Sequence, residues 1–495
     1  MKNENLPITN NQYTELHCHS YYSLLDGASS PEALVARATE LELPALALTD
    51  HDSLAGAVRF WTAACAAGIQ PIFGAELTLA DGHHLTVLAE TQDGYANLCR
   101  LLTQSRLGQI PEADYTQTPG AWPGKVTPAL EWETLHAQRQ GLIVLSGCRR
   151  GPVLGPLVQG QEAIAQANVA RLRECFAPEQ LFLEVQHHAL PDDDRLMRQA
   201  LALAAQFELP VVATNNVHYA NIADSRLRDA LIAIANHTTL AQAQRDGHLP
   251  PNSRYALTSP AQMARTFRSR PDALRHSMEI ARRCRVTLDF SAQRIPAPPI
   301  PAEQAHLSPF AYLYQLCHDN LPRRYPTLTP AVLKQLAHEL DIIEQADLAG
   351  YFLMVWDIIR YAKTTGVRCQ GRGSAANSIV AYLLGITNID PLAHNLLFER
   401  FLSEDKFTMP DIDIDFAADR REEVLRYVYD RYGAEHTAMV CNVVTYRARS
   451  AIRDLGKALD LPEPVIERLA NGVESHEPAG AAAEIAATLG PAAPA

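Results

Sequence analysis

From Met409 to Phe416 the chain reads Met-Pro-Asp-Ile-Asp-Ile-Asp-Phe, an unbroken alternation of acid and apolar residues. In a strand this puts Asp411, Asp413 and Asp415 on one face and Ile412, Ile414 and Phe416 on the other. Three carboxylates at that spacing repel one another unless cations hold them, and paired Mg²⁺ ions accept such oxygen ligands together with substrate phosphates. Forty residues upstream stands Cys369-Gln-Gly-Arg-Gly-Ser-Ala-Ala-Asn377, and Phe398-Glu-Arg-Phe-Leu402 lies between. Gly371 and Gly373 allow close backbone approach, Arg372 can clamp phosphate, and Ser374 is expected to cap a helix beginning near Ala375. The plainer reading is an acidic edge strand beside a glycine turn.

In that order the two segments resemble the palm of the bacterial C-family DNA polymerases, the α-subunit type of the replicative polymerase III. The family carries a Gly-Arg-Gly-Ser phosphate motif followed by Pro-Asp-x-Asp-x-Asp. The variant Gln370-Gly-Arg-Gly-Ser-Ala-Ala-Asn-Ser378 is similar to the family's error-prone branch, used in DNA-damage tolerance. The resemblance covers about residues 11 to 460.

Composition sets the remaining bounds. A chain of 495 residues suggests two to four domains, and 47% hydrophobic content suits a soluble protein with a substantial core. With a formal net charge of −13, any DNA contact must come from a local basic surface. Nine scattered cysteines without a CxxC pair argue against a disulfide framework and for a reducing compartment. Met1 to Asn11 lacks the apolar core of a signal peptide, and no apolar run reaches spanning length. A soluble, cytoplasmic protein with no membrane partner is expected.

Between Tyr13 and about Phe290, short apolar strands alternate with helical stretches such as Pro31–Glu42 and Leu54–Ala67. The strands are expected at 43–49, 70–74, 84–88, 142–145, 181–185 and 211–214. Repeated strand–helix units favour a parallel sheet or barrel with its chemistry at the strands' carboxyl ends. Metal-ligand residue types fall there. His17 and His19 stand two apart with Asp26 shortly after, Asp50-His51 ends one strand, and Glu76 follows the next. His84 begins another, and Cys148 and His218 end later ones. One histidine at a strand end is ordinarily structural; five with Asp26, Glu76 and Cys148 point to a metal cluster.

This pattern is similar to the PHP domain (polymerase and histidinol phosphatase) that opens the C-family polymerases. The resemblance implies His17, His19, Asp26, His51, Glu76, His84, Cys148 and His218 as ligands of up to three ions, with Zn²⁺, Mn²⁺ or Fe as the candidates. One position departs from it. Where the family often has Thr-Asn-Asp-x-His, this chain has Thr214-Asn-Asn-Val-His218, so Asn216 offers a neutral oxygen and hydrolytic activity is in doubt. His83 and His187-His188 are read as outer or exposed neighbours of the cluster.

The expected fold class is α/β: a PHP-type distorted β/α barrel, then a nucleotidyltransferase-like palm and the start of a helical thumb. The expected boundaries are a polar tail at 1–12, the barrel at 13–294, a proline-rich linker at 295–305 and a partial palm at 306–440. The thumb's start follows at 441–470 and an alanine-rich tail, read as disordered or an abnormal end, at 471–495. Pro296-Ala-Pro-Pro-Ile-Pro301 can be neither helix nor central strand. Helical spacing recurs at 259–285, 309–320, 331–346, 351–362 and 422–432. In a helix beginning near Tyr446, Arg449, Arg453 and Lys457 form one basic stripe, either a solvated face or a track for DNA phosphates.

The resemblance implies a template-directed DNA polymerase of the error-prone type, a nucleotidyltransferase serving damage-associated replication. A primer 3′-hydroxyl would attack the dNTP α-phosphate in line, with Asp411 and Asp413 holding two Mg²⁺. Gly371, Arg372, Gly373, Ser374 and Arg400 would bind the triphosphate, and Asp415 would be a supporting carboxylate. Arg449, Arg453 and Lys457 would grip the primer–template. Other damage-tolerance polymerase proteins and a sliding clamp are the implied protein partners. The family's third palm carboxylate, in an Asp-x-Leu-Gly-Leu-like context, has no match after Asp413. Asp415 shares the strand and Asp454 lies on the thumb helix. The chain is therefore expected to be C-terminally truncated and to extend primers poorly. The alternatives are a free-standing phosphoesterase of the PHP type and a non-catalytic DNA-binding fragment.

Overall fold

Among the described residues, four helices begin on a Ser-Pro or Thr-Pro pair: Ser30-Pro31, Ser259-Pro260, Ser308-Pro309 and Thr329-Pro330. In each, the hydroxyl accepts a hydrogen bond from the free backbone N–H three residues on, while proline occupies a first-turn position where its missing N–H costs nothing. The structure is a computed structural model that describes residues 13–107, 126–289, 296–402, 410–433, 436–440, 442–475 and 478–489. The tail at 1–12, the first linker residues up to Ile295, Met409, Cys441 at the thumb's expected start, and 490–495 lie outside these residues. Two compact units result, one of Met1–Leu288 with Val444–Ala495 and one of Asp289–Val443.

The first unit is built on a six-stranded sheet in the order β1 (Ala45–Leu48), β2 (Gln70–Thr78), β3 (His84–Ala89), β4 (Leu142–Leu145), β5 (Leu181–Val185) and β6 (Val211–Ala213). The expectation of parallel pairing holds for β1–β2, β4–β5 and β5–β6, but β3 runs antiparallel to both of its neighbours. The cause is the short connection Leu79–His83, whose Gly82 takes φ 84° and returns the chain at once as a hairpin. The segment before β1 bridges both edges of the sheet, pairing at Glu15 with Leu46 and at Cys18 with Val217. A curled, half-barrel sheet follows.

Alternation along the strands builds two apolar layers. Leu46, Phe73, Val87, Val144 and Leu183 pack into the larger cluster with the helices Pro31–Glu40, Ala57–Ala67 and Glu162–Cys175. Ala45, Ala47, Ile72, Leu88, Ile143, Phe182 and Val212 form the other layer, with Ile280 and Ala281 of the helix Pro271–Arg283. Glu76, His84, Thr86, Glu184 and Thr214 share the parity of Ile72, Leu88, Phe182 and Val212, so period two brings them to this second, inner face.

Glu76 sits inside β2 and does not follow a strand as expected. Gly74, taken as the strand's end, is instead a point of close strand contact: a Cβ there would lie 2.5 Å from the Val87 carbonyl oxygen. The alanine-rich end, read as disordered or abnormal, forms a helix at Pro478–Leu489. Before it come the helices Ala448–Ala458 and Glu463–Asn471, the first packed on the helix Ser225–Ala235.

The second unit is mainly helical, with helices Pro309–Arg324, Pro330–Gln345 and Ala349–Thr364 around Leu313, Leu336, Phe352 and Leu353. Its two strands, β7 (Cys369–Arg372) and β8 (Asp413–Phe416), pair antiparallel, with Gly371 opposite Ile414 and Arg372 opposite Asp413. Ile412 and Ile414 lean on the helical core, which leaves the aspartates on the other face. The helix Arg421–Tyr432 follows directly.

Candidate metal centre and nucleotide site

In the first unit Glu76 is the hub, and it is buried. Its carboxylate oxygens lie 3.3 Å from His17 Nε2, 3.8 Å from His19 Nε2, 2.7 Å from His51 Nδ1 and 3.1 Å from His84 Nδ1. Cys148 Sγ is 3.3 Å from the same carboxylate. Asp26 extends the cluster, with one oxygen 3.1 Å from His51 Nε2 and 3.3 Å from His218 Nδ1. All eight expected ligands therefore meet at one end of the sheet. His17, His19 and Glu76, and again His51, Glu76 and His84, bring ligand atoms within 4.8 Å of one another.

The donor set fits a cation on a specific observation. His17 Nε2, His19 Nε2 and His218 Nδ1 are buried and make no hydrogen bond among the described residues. A buried polar nitrogen left without a partner is costly unless a ligand takes it. On His17 and His19 the opposite nitrogen is occupied, by Glu184 at 2.7 Å and by Ser23 Oγ at 3.0 Å.

The electrostatics of the cluster are those of opposite charges crowded out of water. Burial disfavours a charged His17, but Glu184 and Glu76 overcome it and lift the imidazole to about 10. Burial also opposes charge on Glu76, yet His51 and His17 hold it well below the usual carboxylate range. Burial drives His218 down to about 4, only partly offset by Asp26. Burial likewise pushes the Cys148 thiol well up.

Several residues outside the expected ligand set take part. Glu15 accepts hydrogen bonds from Tyr13 Oη at 2.6 Å and from the His17 and Asn215 backbone N–H groups. Arg228 donates from Nε and Nη2, each at 3.0 Å, to the second oxygen of Asp26. Asp50 receives Ser20 and Ser23 hydroxyls and so fixes the turn that carries Asp26. Asn216 adopts φ 44°, and its side-chain oxygen is buried without a partner among the described residues. His83 pairs with Asp81 and His187 with Asp194, whereas His188 is buried, stacked on Tyr255 and bonded to the Asn215 carbonyl.

In the second unit β7–β8 brings the glycine-rich motif onto the aspartates. Arg372 Nε lies 3.1 Å from Asp415 and Nη1 lies 3.6 Å from Asp413. Ser374 Oγ donates to the Asp411 carbonyl at 3.2 Å. Gly371 is obligatory by contact: a Cβ would sit 2.6 Å from the Ile386 carbonyl oxygen. Gly373 takes φ 67° and directs the chain into the short turn Gly373–Asn377, against which the turn Phe398–Arg400 packs with Arg400 exposed.

Ser374 does not cap a helix, contrary to expectation. The left-handed turn at Gly373 delays the α-helix to Ile379–Leu383, and Ser378 caps it by accepting from Ala381 N–H. Behind that cap lies Glu339, buried, which accepts from Ser378 Oγ at 2.7 Å and from the backbone of Ile379 and Val380.

The basic stripe is helical and largely engaged. Arg449 donates to the Val473 carbonyl, Arg453 makes a two-point pair with Glu467 at 2.8 and 3.1 Å, and Lys457 is exposed. No helix among the described residues is long and apolar enough to cross a membrane.

Known proteins match both units. Residues 15–188 match the PHP domain, and residues 311–489 match the bacterial DNA polymerase III alpha NTPase domain. The error-prone DNA polymerase of Symbiobacterium thermophilum is 44% identical over 470 residues, which is 94% of this chain and 42% of that protein. The error-prone DNA polymerase of Mycobacterium bovis is 42% identical over 460 residues, 90% of this chain and 40% of that protein. The DNA polymerase III subunit alpha of Treponema pallidum is 37% identical over 465 residues, 91% of this chain and 38% of that protein. This chain thus spans about two fifths of the length of these curated relatives. The chain therefore carries a PHP domain followed by a bacterial DNA polymerase III alpha NTPase domain, and across both it is similar to proteins named error-prone DNA polymerase.

Proposed function

We propose that this chain carries the barrel and the nucleotide-binding palm of a template-directed DNA polymerase of the error-prone type, acting in damage-associated replication in the cytoplasm. The observation that carries the reading is the β7–β8 pair, which sets Arg372, Gly373 and Ser374 against Asp411 and Asp413. Asp411 and Asp413 would hold Mg²⁺, which supplies charge stabilisation to phosphoryl transfer when bound. Gly371 and Gly373 leave backbone room for the triphosphate. Arg372, now paired with Asp413 and Asp415, would turn to the phosphates once cations neutralise those carboxylates. Arg400 and the stripe Arg449, Arg453 and Lys457 would add cationic contacts to dNTP and primer–template DNA. A sliding clamp and other damage-tolerance proteins are the protein partners of this reading.

The barrel cluster of His17, His19, Asp26, His51, Glu76, His84, Cys148 and His218 would hold Zn²⁺, Mn²⁺ or Fe. The unpartnered buried nitrogens support that assignment. A second reading, metal-dependent phosphoester hydrolysis at this cluster, draws on Arg228, a cation fixed beside Asp26.

The test is Mg²⁺-dependent binding of a dNTP to the chain, with primer extension beside it and the D411A/D413A double variant as control. Binding that needs Mg²⁺ and disappears in the double variant is expected. Binding indifferent to both would overturn the proposal.

A further inference from the structure

The carboxylate of Glu184 is buried near the carboxyl end of β5, an otherwise apolar strand, and faces the metal cluster without touching the Glu76 hub directly. Burying an ionised carboxylate is expensive unless its oxygens are satisfied. Here they are satisfied in one direction. Oε1 lies 2.7 Å from His17 Nδ1, and Gln186 Nε2 donates to it at 2.8 Å. The Thr214 hydroxyl donates to the same oxygen, and Thr86 Oγ1 lies 3.1 Å from His17 Nδ1 and 3.5 Å from Glu184 Oε2. The Glu184 backbone N–H is itself held by Ser146 Oγ at 2.9 Å.

β3 through Thr86 and β5 through Glu184 therefore meet at one imidazole, with Thr214, just past β6, holding Glu184 from behind. An imidazole whose Nδ1 is fixed by a carboxylate presents Nε2 as a more basic donor in a fixed direction. In this chain that Nε2 is the buried, unpartnered nitrogen 3.3 Å from Glu76.

We infer that Glu184 is a positioning residue of the metal centre: it fixes the tautomer and ring direction of His17 and so sets how tightly the centre holds its ion. The inference rests on the metal-centre reading above. Gln186, Thr214 and Thr86 serve the same end by holding Glu184, and their removal should act more weakly than its own.

The experiment uses the full chain, stripped of metal and titrated with Zn²⁺ and Co²⁺ against a competing chelator. Unmodified chain, Glu184→Gln and Glu184→Asp are compared, with thermal unfolding of each metal-free protein measured alongside. Glu184→Gln should weaken metal binding by about 10- to 100-fold and shift the visible Co²⁺ bands, since the loss of an outer partner carries that order of effect. Glu184→Asp, which keeps the charge but withdraws it from Nδ1, should fall between. Metal-free melting that drops no further than in Thr86→Val would separate positioning from plain structural support. Equal affinities and superimposable Co²⁺ spectra would overturn the role of Glu184 while leaving the metal centre standing. Failure of both variants to fold, beside a chain that binds metal, would make Glu184 a folding residue and also overturn it. Absence of binding by the unmodified chain would overturn the metal-centre reading itself.

Discussion

Glu339 offers a quantitative test of how the second unit is held. Its side chain is buried on the helix Pro330–Gln345, and burial raises its pKa from 4.5 to about 6, against the opposing pull of Gln335, Ile379, Ser378 and Val380. The folded state therefore holds this proton more tightly than the unfolded chain does. The associated stability is fully present below pH 4.5 and is lost as pH rises through about 6. At 1.36 kcal/mol per pH unit, the difference corresponds to about 2 kcal/mol. Glu339→Gln removes the titration while keeping an acceptor for the Ser378 cap. Urea unfolding of the second unit can be followed through Trp356, its one tryptophan, with W356F as the blank. Between pH 4.5 and 6.5 the unmodified chain should lose about 1.5 kcal/mol more stability than Glu339→Gln does, the rest of the difference lying mostly below pH 4.5. Parallel profiles would show that Glu339 is not the group that titrates, and the argument from its burial would fail.

Three further outcomes can be checked. Asp357 is buried and accepts from Tyr427 Oη at 2.6 Å, Tyr432 Oη at 3.0 Å and Arg360 at 2.6 Å, which ties the helix behind β8 to the core. Asp357→Ala should cost about 2–4 kcal/mol in urea unfolding, and a loss under about 0.5 kcal/mol would refute the tie. Gly371→Ala should abolish Mg²⁺-dependent dNTP binding, because its Cβ meets backbone 2.6 Å away; retained binding would mean that the loop can move aside. Replacing Arg449, Arg453 and Lys457 together with Gln should flatten the salt dependence of DNA binding by about two phosphate contacts rather than three, since Arg453 is already paired with Glu467. An unchanged slope would leave the stripe a solvated face.

Much of the barrel was legible because metal-ligand residue types are costly inside an apolar sheet, and eight of them recur along this one, most of them at or beside strand ends. What stayed hidden follows from two effects. Gly74 signals a strand end by propensity, yet here it serves close packing against β3, so β2 continues and takes Glu76 with it. The hairpin was available from Asp81-Gly82, a turn pair whose glycine accepts positive φ, but alternating strands and helices suggested only parallel crossovers. Glu184 was passed over because Leu181–Val185 was taken whole as an apolar strand. A lone acid inside such a run is itself the signal, since it must find a buried partner. The alanine-rich end lacked a recognisable motif, but alanine has the highest helix propensity, and a helix is what forms.

The same effects separate the two sites in kind. The barrel cluster is assembled from seven stretches of chain, and residues outside it hold His17 (Glu184), His19 (Ser23) and Asp26 (Arg228) in place. Binding there need not reorganise the fold. The aspartate strand is different. Asp413 and Asp415 keep side-chain exposures of 43% and 65%, and their present counter-charge is Arg372, itself 61% exposed. Exposed pairs of this kind contribute only about 0–1 kcal/mol, so cations and a triphosphate can exchange into them at little cost. A rigid, buried centre suits a resident ion, and a solvated, self-neutralised one suits ions that come and go with substrate. That contrast follows from burial alone. Under the assignment proposed above, it predicts that chelator at low concentration will strip Mg²⁺ bound at the aspartates long before it removes a metal bound at the Glu76 cluster.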